Sequence, residues 1–188
     1  MRGLSRKRPG GGITLIYVFD GKEPHISKKA YVSDHATVLG DVKIEDDCYV
    51  GPGAILRADY GRIEIGIGTA VEEGVLIHVF PDCTCRIGER VTFGHGAIIH
   101  ASSIGNLAVI GMGAVVSIDT TIGERTIVAE GAVVRMKQTI QPAVVVAGNP
   151  ARVVRKVTLE DEERWRDGKQ YYVDLVKKYL KLGVQRIG

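Results

Sequence analysis

The chain is 188 residues long, 45% hydrophobic and 25% charged, a composition of single globular domains rather than of disordered or fibrous proteins. Its formal charge of +3 is too small to argue for nucleic acid, and its three cysteines cannot all pair, which excludes a disulfide scaffold. No apolar run reaches membrane length, so the sequence predicts a soluble, cytoplasmic protein with neither a nucleic-acid nor a membrane partner.

Residues 1–12 hold Arg2, Arg6, Lys7 and Arg8 ahead of Pro9 and a glycine run, and read as a disordered, solvated arm rather than a polyanion site. Residues 13–29 form a lead-in segment in which Ile13 to Phe19 has strand character up to the Asp20-Gly21 turn. From position 32 an aliphatic residue recurs at every sixth place: Val32, Val38, Ile44, Val50 and Leu56. The register slips and resumes at Ile65, Val71 and Ile77, then slips again to Ile87, Phe93 and Ile99. A last stretch runs through Ile104, Ile110, Val116, Ile122, Val128, Val134, Ile140 and Val146. Small or β-branched residues two places earlier, among them Ala30, Ala36, Ala54, Ala97, Ala108, Ala114, Thr126 and Ala132, suit a narrow interior. Glycines beside the repeat positions, such as Gly66, Gly88, Gly105, Gly111 and Gly123, are expected where a coil turns a corner with positive φ. Short β-rich segments of this kind predict an all-β solenoid over residues 30–150.

Gly148-Asn149-Pro150 ends the repeat. Within 151–188, Thr158-Leu159-Glu160-Asp161 has the form of a capping box for a helix over about 158–182. Its Leu159, Trp165, Tyr172, Leu175, Val176 and Tyr179 make an apolar stripe suited to the solenoid wall. Such a helix also covers sheet edges. Cys48 occupies a small-residue slot and is expected to be inert. Cys83 and Cys85 are assigned to an inserted loop, with redox chemistry or weak metal binding as a secondary expectation; Cys83-Thr84-Cys85 lacks zinc-ribbon spacing.

Three six-residue legs make a triangular coil of eighteen, so a residue stacks on another eighteen later plus any insertion. Nine residues separate Leu56 from Ile65 and ten separate Ile77 from Ile87, which identifies loops of three and four extra residues. Leu56, Ile77 and Ile99 are therefore expected to stack, and the residues after them, Arg57, His78 and His100, to face outward together. Coils about 4.8 Å apart bring His78 and His100 close enough to share one ion at metal–nitrogen distances of about 2.0 to 2.1 Å. His95 lies at the preceding corner, over Glu73, roughly 16 Å of extended chain from His100. That is too far for easy chelation within one chain; a neighbouring subunit could supply this imidazole, and a threefold assembly would then repeat the contact at three interfaces. Arg57 can pair with Asp59 or offer its planar fork to an anion such as bicarbonate or acetate.

Leu56-Arg57-Ala58-Asp59-Tyr60-Gly61, Ile77-His78, the run from Gly94-His95 to Ile99-His100, Ile110-Gly111-Met112-Gly113 and Gly148-Asn149-Pro150 together resemble the γ-class carbonic anhydrase family over about residues 17–180. The resemblance implies a left-handed parallel β-helix with a C-terminal α-helix, assembled as a homotrimer. It implies a zinc ion, with Fe2+ or Co2+ as the other candidates, held by His78 and His100 of one subunit and His95 of the next. It also implies a subunit-bridging salt pair between Arg57 and Asp59, with Arg57 near the substrate anion.

The chain departs from that family where Ala70-Val71-Glu72-Glu73 stands in place of Asn-Val-Gln-Asp: Glu72 can accept a proton but cannot donate an amide hydrogen bond. Tyr60 replaces the carboxylate after Arg-x-Asp, and Val79-Phe80-Pro81 lacks the long acidic loop associated with proton shuttling. The expected activity is slow, reversible hydration of CO2 to bicarbonate, with Arg57 orienting the anion and Glu72 or solvent taking the proton. Two alternatives stay open. One is acyl-CoA chemistry, as a hexapeptide acyltransferase or an acyl-CoA thioesterase, for which a single histidine base suffices. The other is a non-catalytic metal-binding or assembly subunit.

Overall fold

The computed structural model describes residues 15–101, 103–185 and 187; the basic arm expected over 1–12 lies outside them. The repeat aliphatics stack in three columns of parallel pairs, one per face of a triangular coil. Face one runs Val32, Val50, Val71, Phe93, Ile110, Val128 and Val146. Face two runs Ile16, Val38, Leu56, Ile77, Ile99, Val116 and Val134. Face three runs Ile26, Ile44, Ile65, Ile87, Ile104, Ile122 and Ile140. All but Ile16 and Ile26, at the bottom of the stack, are buried, and so are the alanines two places before them. The result is a left-handed parallel β-helix of about seven turns with a single C-terminal helix.

The solenoid starts before the repeat does, since Leu15–Tyr17 and His25–Ile26 both pair with Thr37–Ile44 and supply two legs of the first turn. Both counted insertions fall at one corner. Arg57 is opposite His78 where face two ends, and Arg62 is opposite Thr84 where face three begins, so residues 58–61, within the strand Ile55–Ile65, and the loop 79–83 stack on each other. The corner after His100 is a residue shorter than the ordinary leg, because Ile104 follows Ile99 by five positions and still stacks on Ile87.

Three sequence readings are corrected. The glycines beside the repeat do not have positive φ; they are glycine because the next coil is too close. A Cβ on Gly123 would stand 2.4 Å from the Pro142 nitrogen, and one on Gly66 2.6 Å from the Gly88 oxygen. Cys85 is not in a loop but in the strand Thr84–Ile87, fully buried, and burial pushes its thiol up to about 12, so it is inert. Only Cys83 is exposed.

The third correction concerns the helix Leu159–Leu182, which starts at the expected capping box: Asp161 Oδ2 accepts from the Thr158 nitrogen at 2.9 Å and Thr158 Oγ1 accepts from the Asp161 nitrogen at 3.2 Å. Its second half seats on face one, with Tyr172, Val176 and Tyr179 packed against Tyr31, Tyr49 and Ala70. Its first half stands off, beside an exposed strand, Arg152–Lys156, that the repeat does not announce. Leu159 is consequently 79% exposed instead of buried, while Lys169, which the expected stripe does not include, is 3% exposed. No helix among the described residues is long and apolar enough to cross a membrane.

The close approach of coils gives a stability expectation. Gly113 has φ 65° and open space around its Cβ position, so Gly113→Ala meets only the left-handed penalty of about 1–2 kcal/mol. Gly123→Ala must push two backbones apart and is expected to lower the melting temperature by clearly more. Equal shifts for the two variants would show that coil spacing is not what requires Gly123.

Candidate metal centre

The strand Leu76–His78 places His78 at the end of face two, directly opposite Arg57 on the coil below. Ile98–Ile99 pairs with Leu76–Ile77, which brings His100 to the same position on the coil above. His78 Nε2 lies 3.2 Å from Asp59 Oδ1 and 3.1 Å from Arg57 Nη2, while His78 Nδ1 lies 3.0 Å from His100 Nε2. The two imidazoles meet edge to face, with an interplanar angle of 89°.

Burial and the Arg57 cation push the His78 pKa down against the pull of Asp59, so the ring is neutral and has one N–H. For Asp59, burial alone would raise the pKa, but bonds from His78 and from its own backbone, with the Arg57 charge, hold it below the ordinary value. An ionised Asp59 accepts the His78 proton at Nε2; Arg57 is close because it is ion-paired to Asp59 at 3.4 Å. His78 Nδ1 is then an acceptor to which His100 Nε2 donates, which leaves His100 Nδ1 outside this pair. That last atom is buried and has no hydrogen-bond partner among the described residues.

His95 occupies the other corner of face two, in the turn Gly94 to Gly96, and is 51% exposed at its side chain. Its Nδ1 is 2.7 Å from Glu73 Oε2 and its Nε2 is 3.2 Å from Glu72 Oε2. Tyr49 Oη donates to Glu73 Oε1 at 2.6 Å. The two carboxylates diverge: burial pushes Glu72 up despite a bond from Tyr172, whereas for Glu73 the bonds from Tyr49 and its own backbone, with His95, outweigh burial and bring it down.

The expected residues therefore fall into two groups: Arg57, Asp59, His78 and His100 at one corner, and Glu72 with His95 at the other. Among the described residues, no three His, Cys, Asp or Glu side chains of one chain form a set able to hold a metal ion. The parts of the His95 corner that sequence reasoning missed are Tyr49 and Tyr172. Tyr49 lies on face one opposite Ala70, legible by register, whereas Tyr172 is legible as part of the helix's apolar stripe but its bond to Glu72 is not.

Between the two corners the outward side chains of face two are Ile55, Leu76, Ile98, Val115 and Val133, with Ile98 47% exposed. Face three instead turns Lys43, Glu64, Arg86, Ser103, Thr121 and Thr139 outward, and face one is partly roofed by the helix. Only one wall of the prism is both apolar and uncovered among the described residues.

Over 161 residues the chain is 37% identical to the carnitine operon protein CaiE of Escherichia coli K12, spanning 85% of this chain and 82% of that relative. The chain belongs to the CaiE family. Solved structures agree on the fold of this CaiE-family chain. A hexapeptide transferase family protein from Anaplasma phagocytophilum superposes with a TM-score of 0.84 at 28% identity, covering 88% of this chain and 98% of its own. A Bacillus cereus protein provisionally assigned as an acetyltransferase gives 0.86 at 30% identity, covering 89% and 97%. No protein-family model matches the chain. These neighbours place the CaiE-family chain among hexapeptide-repeat proteins without singling out the γ class of carbonic anhydrases.

Proposed function

We propose that three chains assemble so that each interface holds a divalent metal ion between His78 and His100 of one subunit and His95 of the next, and that this centre hydrates CO2 reversibly. The observation that carries the reading is the 3.0 Å approach of His78 Nδ1 to His100 Nε2. Two nitrogens bound to one tetrahedral ion at about 2.0 to 2.1 Å stand roughly 3.3 Å apart, so small ring movements admit the ion. Asp59 fixes the tautomer and orientation of His78 as carboxylates do behind metal-ligating imidazoles. His100 Nδ1, buried and without a hydrogen-bond partner among the described residues, marks a site whose polar groups are not fully satisfied by them. All-imidazole donors suit zinc, and also Fe2+ or Co2+. The uncovered apolar wall between the two histidine corners is the surface that three copies would bury.

A bound divalent ion supplies water acidified to near neutrality. The chain's own groups do the rest. Arg57, half-exposed at the corner, binds and orients the anion; Asp59 holds both Arg57 and His78; Glu72, with its raised pKa beside His95, receives the proton.

A second reading is favoured by a specific observation and by the names of the structural neighbours. His95 is held at Nδ1 by the Glu73 carboxylate, the arrangement of a histidine general base, and acyl transfer from a thioester needs no metal. Assays of metal-loaded and metal-depleted protein with CO2 and with an acyl-CoA ester separate the two. Metal-dependent CO2 hydration, accelerated by imidazole buffer and altered in rate by Glu72→Gln without loss of metal, is expected. Acyl-CoA turnover in metal-depleted protein that Glu73→Gln removes would transfer the assignment to acyl transfer.

A further inference from the structure

Because the helix Leu159–Leu182 seats on face one through its second half, its first half roofs a cleft of about 590 Å3, within the range of small-molecule sites. Leu107, Val109 and Ile127 line its solenoid side, and Val157, Leu159 and Trp165 line the side of the helix. At one end sits Lys169, 3% exposed, whose Nζ donates to Thr92 Oγ1 at 3.1 Å and to the Ala108 oxygen at 3.0 Å, both neutral acceptors, and stands 5.8 Å over the Trp165 ring. Arg90, beside it in the lining, gives Nη2 to Gln170 Oε1 at 2.8 Å. Neither cation has a carboxylate at ion-pair distance among the described residues.

A buried cation without a counter-ion is costly, and here Lys169 is one, with the half-buried Arg90 beside it in the lining of an apolar cleft. The cleft's own acids lie in the first turns of the helix: Asp161 is bound by Arg155 and by the helix cap, Glu162 pairs with Arg125 at 3.4 Å, and Glu163 is exposed, about 9 Å of helix before Lys169. Seven residues of helix, about 11 Å, separate Glu162 from Lys169. The lining is therefore polarised, cationic at the Lys169 end and apolar along its length.

We propose that this cleft binds an organic carboxylate with an apolar tail, the head group between Lys169 and Arg90 and the tail along Val109, Ile127 and Leu159. A guanidinium fork beside an ammonium suits a carboxylate, and the apolar walls offer little to the sugar of a nucleotide. The assignment is independent of the metal centre, which lies on face two.

Trp165 is the only tryptophan of the chain, so its emission reports on this cleft. The experiment titrates decanoate into metal-depleted, full-length protein, with 1-decanol and acetate as comparators that lack the charge or the tail. A saturable change with decanoate is expected, with both comparators weaker by roughly tenfold or more, as for loss of a charged hydrogen bond or of the buried tail. Lys169→Met and Arg90→Gln are each expected to weaken decanoate by a similar factor. Folding of both variants is checked by circular dichroism, and Arg90→Gln, at a half-buried position, keeps the test decisive should Lys169→Met misfold. Decanol binding as tightly as decanoate, an absent saturable response in the wild type, or unchanged affinity in Arg90→Gln overturns the proposal. So does loss of the response in His100→Ala, which would assign the ligand to the metal centre instead.

Discussion

Equimolar His95→Ala and His78→Ala chains, unfolded and refolded together, are expected to recover metal at about a quarter of all interfaces, although neither variant binds metal alone. An intact interface needs His78 and His100 from a His95→Ala chain and His95 from a His78→Ala chain, and each condition is met half the time. The effect is all-or-none at each interface, because two imidazoles without the third leave a weak site. Metal content of the purified mixed trimers measures it. Ile98→Glu tests the same architecture from the wall between the corners: Ile98 points outward, 47% exposed, so the variant should keep its fold while losing both trimer and metal. Parental metal levels in confirmed mixed trimers, or a monomeric Ile98→Glu protein that still binds one ion per chain, would sink the shared site.

Lys169→Met is expected to stabilise the protein at pH 7, with an advantage that fades as the pH rises. Burial, with the nearby Arg90 charge and against the pull of Glu72, brings the Lys169 pKa down from 10.5 to about 7. The unfolded chain therefore binds more protons than the folded chain between about pH 7 and 10.5. Wild-type stability contributed by this group rises with pH across that window and is flat below it. The depression corresponds to a difference on the order of 4 kcal/mol between wild type and Lys169→Met over the window, reduced at neutral pH by the lost bonds to Thr92 and Ala108. Denaturant unfolding of both proteins at pH 7 and at pH 10 reads it directly. A gap that stays constant with pH would mean that Lys169 is not desolvated as its burial indicates.

Counting from Leu56 to Ile77 to Ile99 suffices to align Arg57, His78 and His100, because stacked coils convert sequence separation into adjacency. The same count sets His95 over Glu73, where the structure finds a 2.7 Å contact. Counting fails where an environment is set by something other than the stack. Lys169 is buried and Leu159 exposed because of the angle at which a helix docks, and a docking angle has no period. Cys85 was legible in principle, since it is two places before Ile87 in a small-residue slot, but the adjacent insertion obscured where the loop ends. Glycine beside the repeat was a correct signal with the wrong cause: proximity of the next backbone, not φ. The outward stripe Ile55, Leu76, Ile98, Val115 and Val133 also lay in the sequence, one place before the repeat aliphatics of face two from Leu56 onward. A reading that follows only the inward positions passes over it.

The stacking has a kinetic side. Partners across the solenoid are 17 to 22 residues apart, as in Phe93 with Ile110 and Phe93 with Val71. That is about a tenth of the chain, a relative contact order nearer to helical bundles than to sandwiches of comparable strand content. Each completed coil is a template for the next, so assembly can proceed from either end or keep pace with synthesis, without a search for distant strand partners. The long-range exception is the C-terminal helix, whose Tyr179 stacks on Tyr31 with ring centroids 4.2 Å apart. The coil-to-coil pairs can all form without the helix, which makes its docking, through Tyr179, Tyr172 and Lys169, the step that fastens early coils to residues far along the chain.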